Sequence, residues 1–164
     1  MKLREILVAE FAQETSLTRK MLEKVSLENP EWRPHEKSMT IQRLSSHIAE
    51  IPLWAERILE TDEFDFAMAK FERFLAGNTP DLLRKFQETS STAASLLKEV
   101  TDESLMEKWT LKRNGQILYS MPRIAMLRNY VFSHTAHHRG QLSVYLRLNN
   151  ISVPGMYGPS ADER

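Results

Sequence analysis

Residues 129–148 read "NYVFSHTAHHRGQLSVYLRL", an apolar helical pattern with His134, His137 and His138 set into it. A strict 3-4 spacing traced from Ile124 runs through Leu127, Val131, His134, His138, Gln141, Tyr145 and Leu148. Both ends of that seam are apolar, so it predicts a helix packed against others, with two histidines and a glutamine at its middle. His134 and His138 are four apart and therefore stand on one face, one turn apart. His137 falls off the seam, which gives it a supporting or a surface role.

A second seam, Leu44, His47, Ile51, Trp54 and Ile58, again carries a histidine among apolar neighbours. Burying an imidazole costs free energy unless its nitrogens find partners. Three histidines turned inward from two helices make sense if one ion serves all three. Neutral imidazoles suit zinc, nickel, copper or ferrous iron and argue against calcium or magnesium. Three protein ligands leave a position for water or substrate, the arrangement of catalytic zinc. A structural ion tying two helices together would use the same residues. His35, in a loop beside a charged run, reads as a loop residue.

Outward from these seams the chain is mostly helical in period. Residues 2–26 place Leu3, Leu7, Phe11, Leu17, Met21 and Val25 on one helix, and "NPEWRPHEK" ends the pattern with two prolines. The second helix is expected from Ser38 or Met39 to Leu59 with Ser38 as N-cap, bent by Pro52, which cannot donate to Ile48. Residues 61–78 form a longer connection holding Phe64, Phe66, Phe71 and Phe74, with room for a short helix. "NTPDLLRKF" starts a third helix with Thr79 as N-cap and Pro80 at its first position. That helix carries Leu82, Phe86, Ala93, Leu97 and Val100 on one face, with the small-residue run Thr89–Ser95 at its middle. Thr101 caps a short turn, and Asn114-Gly115 between two short runs predicts a β-hairpin. Pro122 starts the fourth helix, which Asn149 and Asn150 end. The expected fold is all-α, a single four-helix bundle over residues 1–164, with a long connection between helices 2 and 3 and a small hairpin before the last helix.

With 164 residues, 22 basic against 22 acidic side chains and no cysteine, the composition excludes several classes. Zero net charge argues against nucleic acid as partner, since phosphate contacts need a basic excess. Thiolate metal sites, disulfides and a cysteine nucleophile are excluded. No apolar run is long enough to span a bilayer, and the N-terminus lacks signal-peptide features, so no membrane partner and a cytoplasmic location are expected.

The segments "EWRPHEKSMTIQRLSSHIAEIPLW", "SHTAHHRGQLSVYLR" and "VPGMYGPSADE" together resemble the DinB/YfiT-like family of metal-dependent four-helix proteins. The resemblance spans most of the chain in the family's order, and the H-x-x-x-H-R-G-Q block is its most specific part. It implies that one histidine of the second helix and two of the last block bind a divalent metal; position by position these are His47, His134 and His138. It also implies a homodimer, with thiol-dependent S-transferases and a mycothiol-dependent isomerase among relatives.

Around the ligands, Glu50 could orient a histidine or act as a base, and equally could be a solvated charge. Gln141 could hydrogen-bond a metal-bound water or a histidine's free nitrogen, and equally could be a polar seam residue meeting another helix. Tyr157 could fold over the mouth of the site from the tail or, like most tail tyrosines, merely pack, and Arg139 reads as a salt-bridge or packing residue. The leading reading is a metal-dependent enzyme, with zinc or nickel first and iron next, joining a small-molecule thiol to an electrophile. A metal-dependent hydrolase is the nearest variant. A non-catalytic metal-binding or sensor bundle is a second class, and an interaction module without metal is a third.

Overall fold

In the computed structural model, which describes residues 2–68 and 72–163, helices dominate. Helix α1 (Leu3–Leu22) is capped from a distance: the Asp102 carboxylate accepts from Leu3 N (2.9 Å) and Arg4 N (3.0 Å). Those two bonds hold the Asp102 carboxyl below its ordinary pKa and supply acceptors that the helix start otherwise lacks. The second helical segment is α2 (Ile41–Glu50) followed by α3 (Leu53–Glu60), separated at Ile51 and Pro52. The interruption falls where the proline removes a donor, as its position predicts.

Two caps lie elsewhere than expected. Thr40, not Ser38, caps α2, its hydroxyl accepting from Arg43 N at 3.1 Å. Asn78, not Thr79, caps α4 (Thr79–Glu99), accepting from Asp81 N at 2.8 Å. Thr79 instead donates to the Val25 carbonyl (2.8 Å) and ties the start of α4 to the chain just past α1. Thr101 caps the short α5 (Asp102–Met106) as read.

The chain is not all-α. Strands β2 (Lys108–Arg113) and β3 (Gln116–Pro122) form the expected hairpin, with Asn114 at φ 51° and Gly115 at φ 76°. Both turn residues are left-handed, the requirement of a two-residue turn that matches strand twist. A third strand, β1 (Glu63–Asp65), comes from the long connection and pairs parallel with β2, making a mixed sheet in the order β1-β2-β3. The Asp65 carboxylate accepts from Asn114 N (3.0 Å), Gly115 N (2.7 Å) and Ala67 N (2.8 Å), clamping the connection to the hairpin turn. Among the described residues of the connection the structure is this strand and turns rather than a short helix; Phe71 lies outside the described residues.

The last segment is α6 (Arg123–Leu127), a wide π turn (Arg128–Ser133) and α7 (His134–Leu148), ending where Asn150 takes φ 57°. Helix α4 packs on α1, α2 and α3, and α7 packs on α1 and α2. Two apolar clusters result. One gathers Phe11, Trp54, Ile58, Leu97, Trp109 and Val131; the other gathers Met21, Ile48, Leu82, Phe86, Leu142 and Leu146. Burying a side chain of this size contributes roughly 1.5–3 kcal/mol. The small residues of α4 serve close approach: Thr89 is buried and donates to the Ala49 carbonyl of α2 at 2.7 Å. Along the last segment, the histidines fall between residues of one cluster and residues of the other.

Candidate metal centre

His47 leaves α2 one turn before the Pro52 interruption, and His134 opens α7 directly after the π turn. The packing of α2 on α7 brings the three seam histidines together. His47 Nε2 and His134 Nε2 are 3.2 Å apart, and the ring centroids of His47, His134 and His138 lie 4.6–4.9 Å from one another. One ligand-capable nitrogen from each falls within 4.8 Å of the other two. Two nitrogens on one tetrahedral zinc stand about 3.3 Å apart, given bonds of about 2.0–2.1 Å. The trio therefore fits a single transition-metal ion.

Protonation agrees with that fit. Burial, then the neighbouring rings of His138 and His134, then Arg43 and Arg73 lower the His47 pKa from 6.5 to about 3. His134 is lowered by burial and by His138. His138 is lowered by burial, with Gln141 opposing and His137 and Arg43 adding to the fall. All three rings are neutral at pH 7, the state that offers a lone pair to a metal.

The second ring nitrogens differ. His138 Nδ1 lies 2.7 Å from Gln141 Oε1, so the ring donates there and keeps Nε2 unprotonated. His134 Nδ1 is buried without a well-formed hydrogen bond, although the Tyr130 carbonyl one turn back favours a proton on the ring. His137 is exposed, with its ring 4.8 Å from that of His138. His35 is an exposed loop residue whose Nδ1 accepts from Lys37 N at 3.1 Å.

The other sequence candidates part company. Glu50 sits beside His47, but Oε1 accepts from Phe74 N (3.0 Å) and Oε2 pairs with Arg43 (3.2 Å), so both oxygens fasten structure. Tyr157 does not cover the histidines. Its hydroxyl donates to the Glu14 carboxylate at 2.9–3.0 Å and accepts from Arg139, which directs the tail against α1. Arg139 is buried and donates to the Glu14 carbonyl (3.1 Å), the Thr18 hydroxyl (2.9 Å) and the Glu14 carboxylate (2.6 Å).

Two clefts open beside the trio. One, of about 190 Å³, reaches His47 and is lined by Arg43, Arg57, Arg73, Glu50, Trp54 and Phe66 among others. The other, of about 440 Å³, reaches His134 and His137 and is lined by Tyr119, Met121 and Tyr130. Sequence reading missed the arginines, yet a signal existed. Arg43, His47, Glu50, Trp54 and Arg57 repeat a 4-3 spacing, a charged stripe that shares His47 and Trp54 with the apolar seam.

Comparisons with known proteins bear on the family and the fold. The sequence profile of the DinB family matches residues 2–164. A Bacillus subtilis (strain 168) relative described as uncharacterized protein YrdA is 26% identical over 155 residues, covering 92% of this chain and 85% of its own. The crystal structure of the DinB-like protein YjoA from Bacillus subtilis superposes with a TM-score of 0.70 at 24% identity, covering 93% of this chain and 98% of that one. A DinB-like protein from Bacillus cereus ATCC 10987 gives 0.67 at 21% identity, covering 89% and 92%. Both solved structures share the fold. No helix among the described residues is long and apolar enough to cross a membrane.

Proposed function

The chain belongs to the DinB family, and from that premise we propose that it is a divalent-metal-dependent transferase, with His47, His134 and His138 as ligands, that joins a small thiol to an electrophile. The carrying observation is that two clefts of different character reach the trio, one at His47 and one at His134. A two-substrate reaction uses both; hydrolysis of one substrate needs a single organic pocket.

Absence of cysteine means that the nucleophilic sulfur comes with a substrate. A divalent ion such as zinc or nickel, when bound, supplies Lewis acidity that lowers the pKa of a thiol. The chain's own part is to hold three neutral nitrogens in place, to fix the His138 tautomer through Gln141, and to offer the apolar Tyr119–Met121–Tyr130 wall to an electrophile. In the reaction the sulfur's electron pair forms the new S–C bond, the leaving group departs with its own pair, and the thiol proton passes to solvent. A homodimer belongs to the same proposal and is read by light scattering.

Elemental analysis of untagged protein tests the site: about one equivalent of zinc, nickel or iron in the wild type, absent from His138→Ala. Saturable, metal-dependent consumption of an alkylating dye with one thiol then tests the reaction. Failure to take up any of these ions after reconstitution sinks the reading.

A further inference from the structure

The cleft at His47 has a charge pattern that the metal site does not require. Trp54 and Phe66, with centroids 5.7 Å apart, give it an aromatic side, and the Arg57 guanidinium stands 5.0 Å over the Trp54 ring. Arg43 spends one nitrogen on Glu50 at 3.2 Å and, among the described residues, makes no other side-chain hydrogen bond or ion pair. Arg73 is exposed and forms no ion pair among the described residues. Glu50 and Glu72 also lie in the lining, and Arg43 is the guanidinium that engages Glu50.

Arg43 and Arg73 line the cleft that reaches His47, so their charge lies beside the imidazoles. Three neutral imidazoles bring no negative charge of their own. An ion held by them would add two positive charges beside the arginines, so a bound anion is the natural complement. A guanidinium matches a planar oxyanion with paired donors.

We propose that this cleft is a carboxylate subsite: Arg43 and Arg73 hold the acid group of a small monocarboxylate whose apolar body lies along Trp54 and Phe66 and whose far end reaches His47. A planar carboxylate meets a guanidinium with two parallel hydrogen bonds, and phenyl phosphate is the competing anion that the test includes. The inference deepens the transferase reading by naming an acidic substrate, and it rests on that reading only for what happens at the far end.

The test is calorimetric titration of 3-phenylpropionate, its carboxamide and phenyl phosphate into metal-free and zinc-treated protein at low ionic strength, where exposed arginines are least screened. The acid is expected to bind about tenfold more tightly than the amide, the worth of one charge-assisted hydrogen-bonded pair. Arg73→Gln is expected to abolish that preference and leave the amide's affinity unchanged; Arg43→Gln is the second variant, since Arg43 also braces Glu50. Equal affinity for acid and amide overturns the subsite, as does a preference that survives both substitutions. Tighter, Arg73-dependent binding of phenyl phosphate overturns the carboxylate assignment. Arginine-dependent acid binding by protein that takes up no zinc upholds the subsite while the metal reading falls. Zinc uptake with no preference for the acid has the opposite meaning.

Discussion

His47 Nε2 and His134 Nε2 stand 3.2 Å apart although 87 residues separate them in the chain. Two lone pairs at that distance repel, so in the free protein a proton lies between them. An ion held by both nitrogens would take the place of that proton, and its binding would stabilise the α2–α7 contact. At an ion concentration one hundred times Kd the gain is about 2.7 kcal/mol, which raises Tm by roughly 5–10 °C in a domain of this size. Differential scanning calorimetry with and without zinc checks this, and His47→Ala should lose the whole increment.

The pH dependence of the metal-free protein follows from the same cluster. His47 is held well below its ordinary 6.5, at about 3, chiefly by burial, so the unfolded chain binds its proton more readily than the folded one. The stability contributed by the neutral ring is whole above pH 6.5 and is lost as pH falls toward about 3. Urea midpoints measured between pH 7 and 4 should drop more steeply for the wild type than for His47→Gln. Parallel curves would refute the buried neutral ring.

Gln141 is exposed, yet its Oε1 meets His138 Nδ1 at 2.7 Å. Replacing it frees the ring to rotate and to change tautomer. Gln141→Ala should weaken metal binding by about 10–100-fold with an unchanged unfolding midpoint in the metal-free state. Competition against a chromogenic chelator gives the affinity; an unaltered Kd would show that the contact does not orient the ligand.

Arg139 neighbours His138 in sequence but serves α1. Its side chain is 2% exposed and that of Glu14 14%. Among the described residues, Arg139→Met leaves the largely buried Glu14 carboxylate with only Tyr157 to donate, and removing one partner of such a pair costs about 3–5 kcal/mol. Chemical denaturation should register that loss while metal stoichiometry stays at the wild-type value. Loss of metal together with a wild-type midpoint would place Arg139 at the site instead.

The convergence of His47, His134 and His138 was legible because a seam with polar residues at its middle is a pattern on one helix face, and two such seams point at each other. The hairpin was legible from Asn114-Gly115 alone, since few residue pairs accept two left-handed positions. Strand β1 was not: "EFD" is too short for any period, and its pairing depends on Asp65 capturing the hairpin turn some fifty residues away. Which of its two readings Tyr157 takes was not legible, because a tail's direction is set by its partners, here Glu14 and Arg139, which no spacing encodes. The caps at Thr40 and Asn78 were missed by one or two residues, the scatter expected where several cap-forming side chains adjoin.

The π turn at Arg128–Ser133 stands directly before the first histidine of the last helix. Such a turn absorbs an inserted residue within an otherwise α-helical segment, and it occurs often beside functional sites. The stretches 123–127 and 134–148 are thus two separately phased blocks. An alignment with relatives should allow a one-residue gap between them and should never slide the histidine block to close it. Deleting any one residue of 128–133 lets the helix run on without a break, and the cost of that repair is borne by whichever block loses its orientation toward α2.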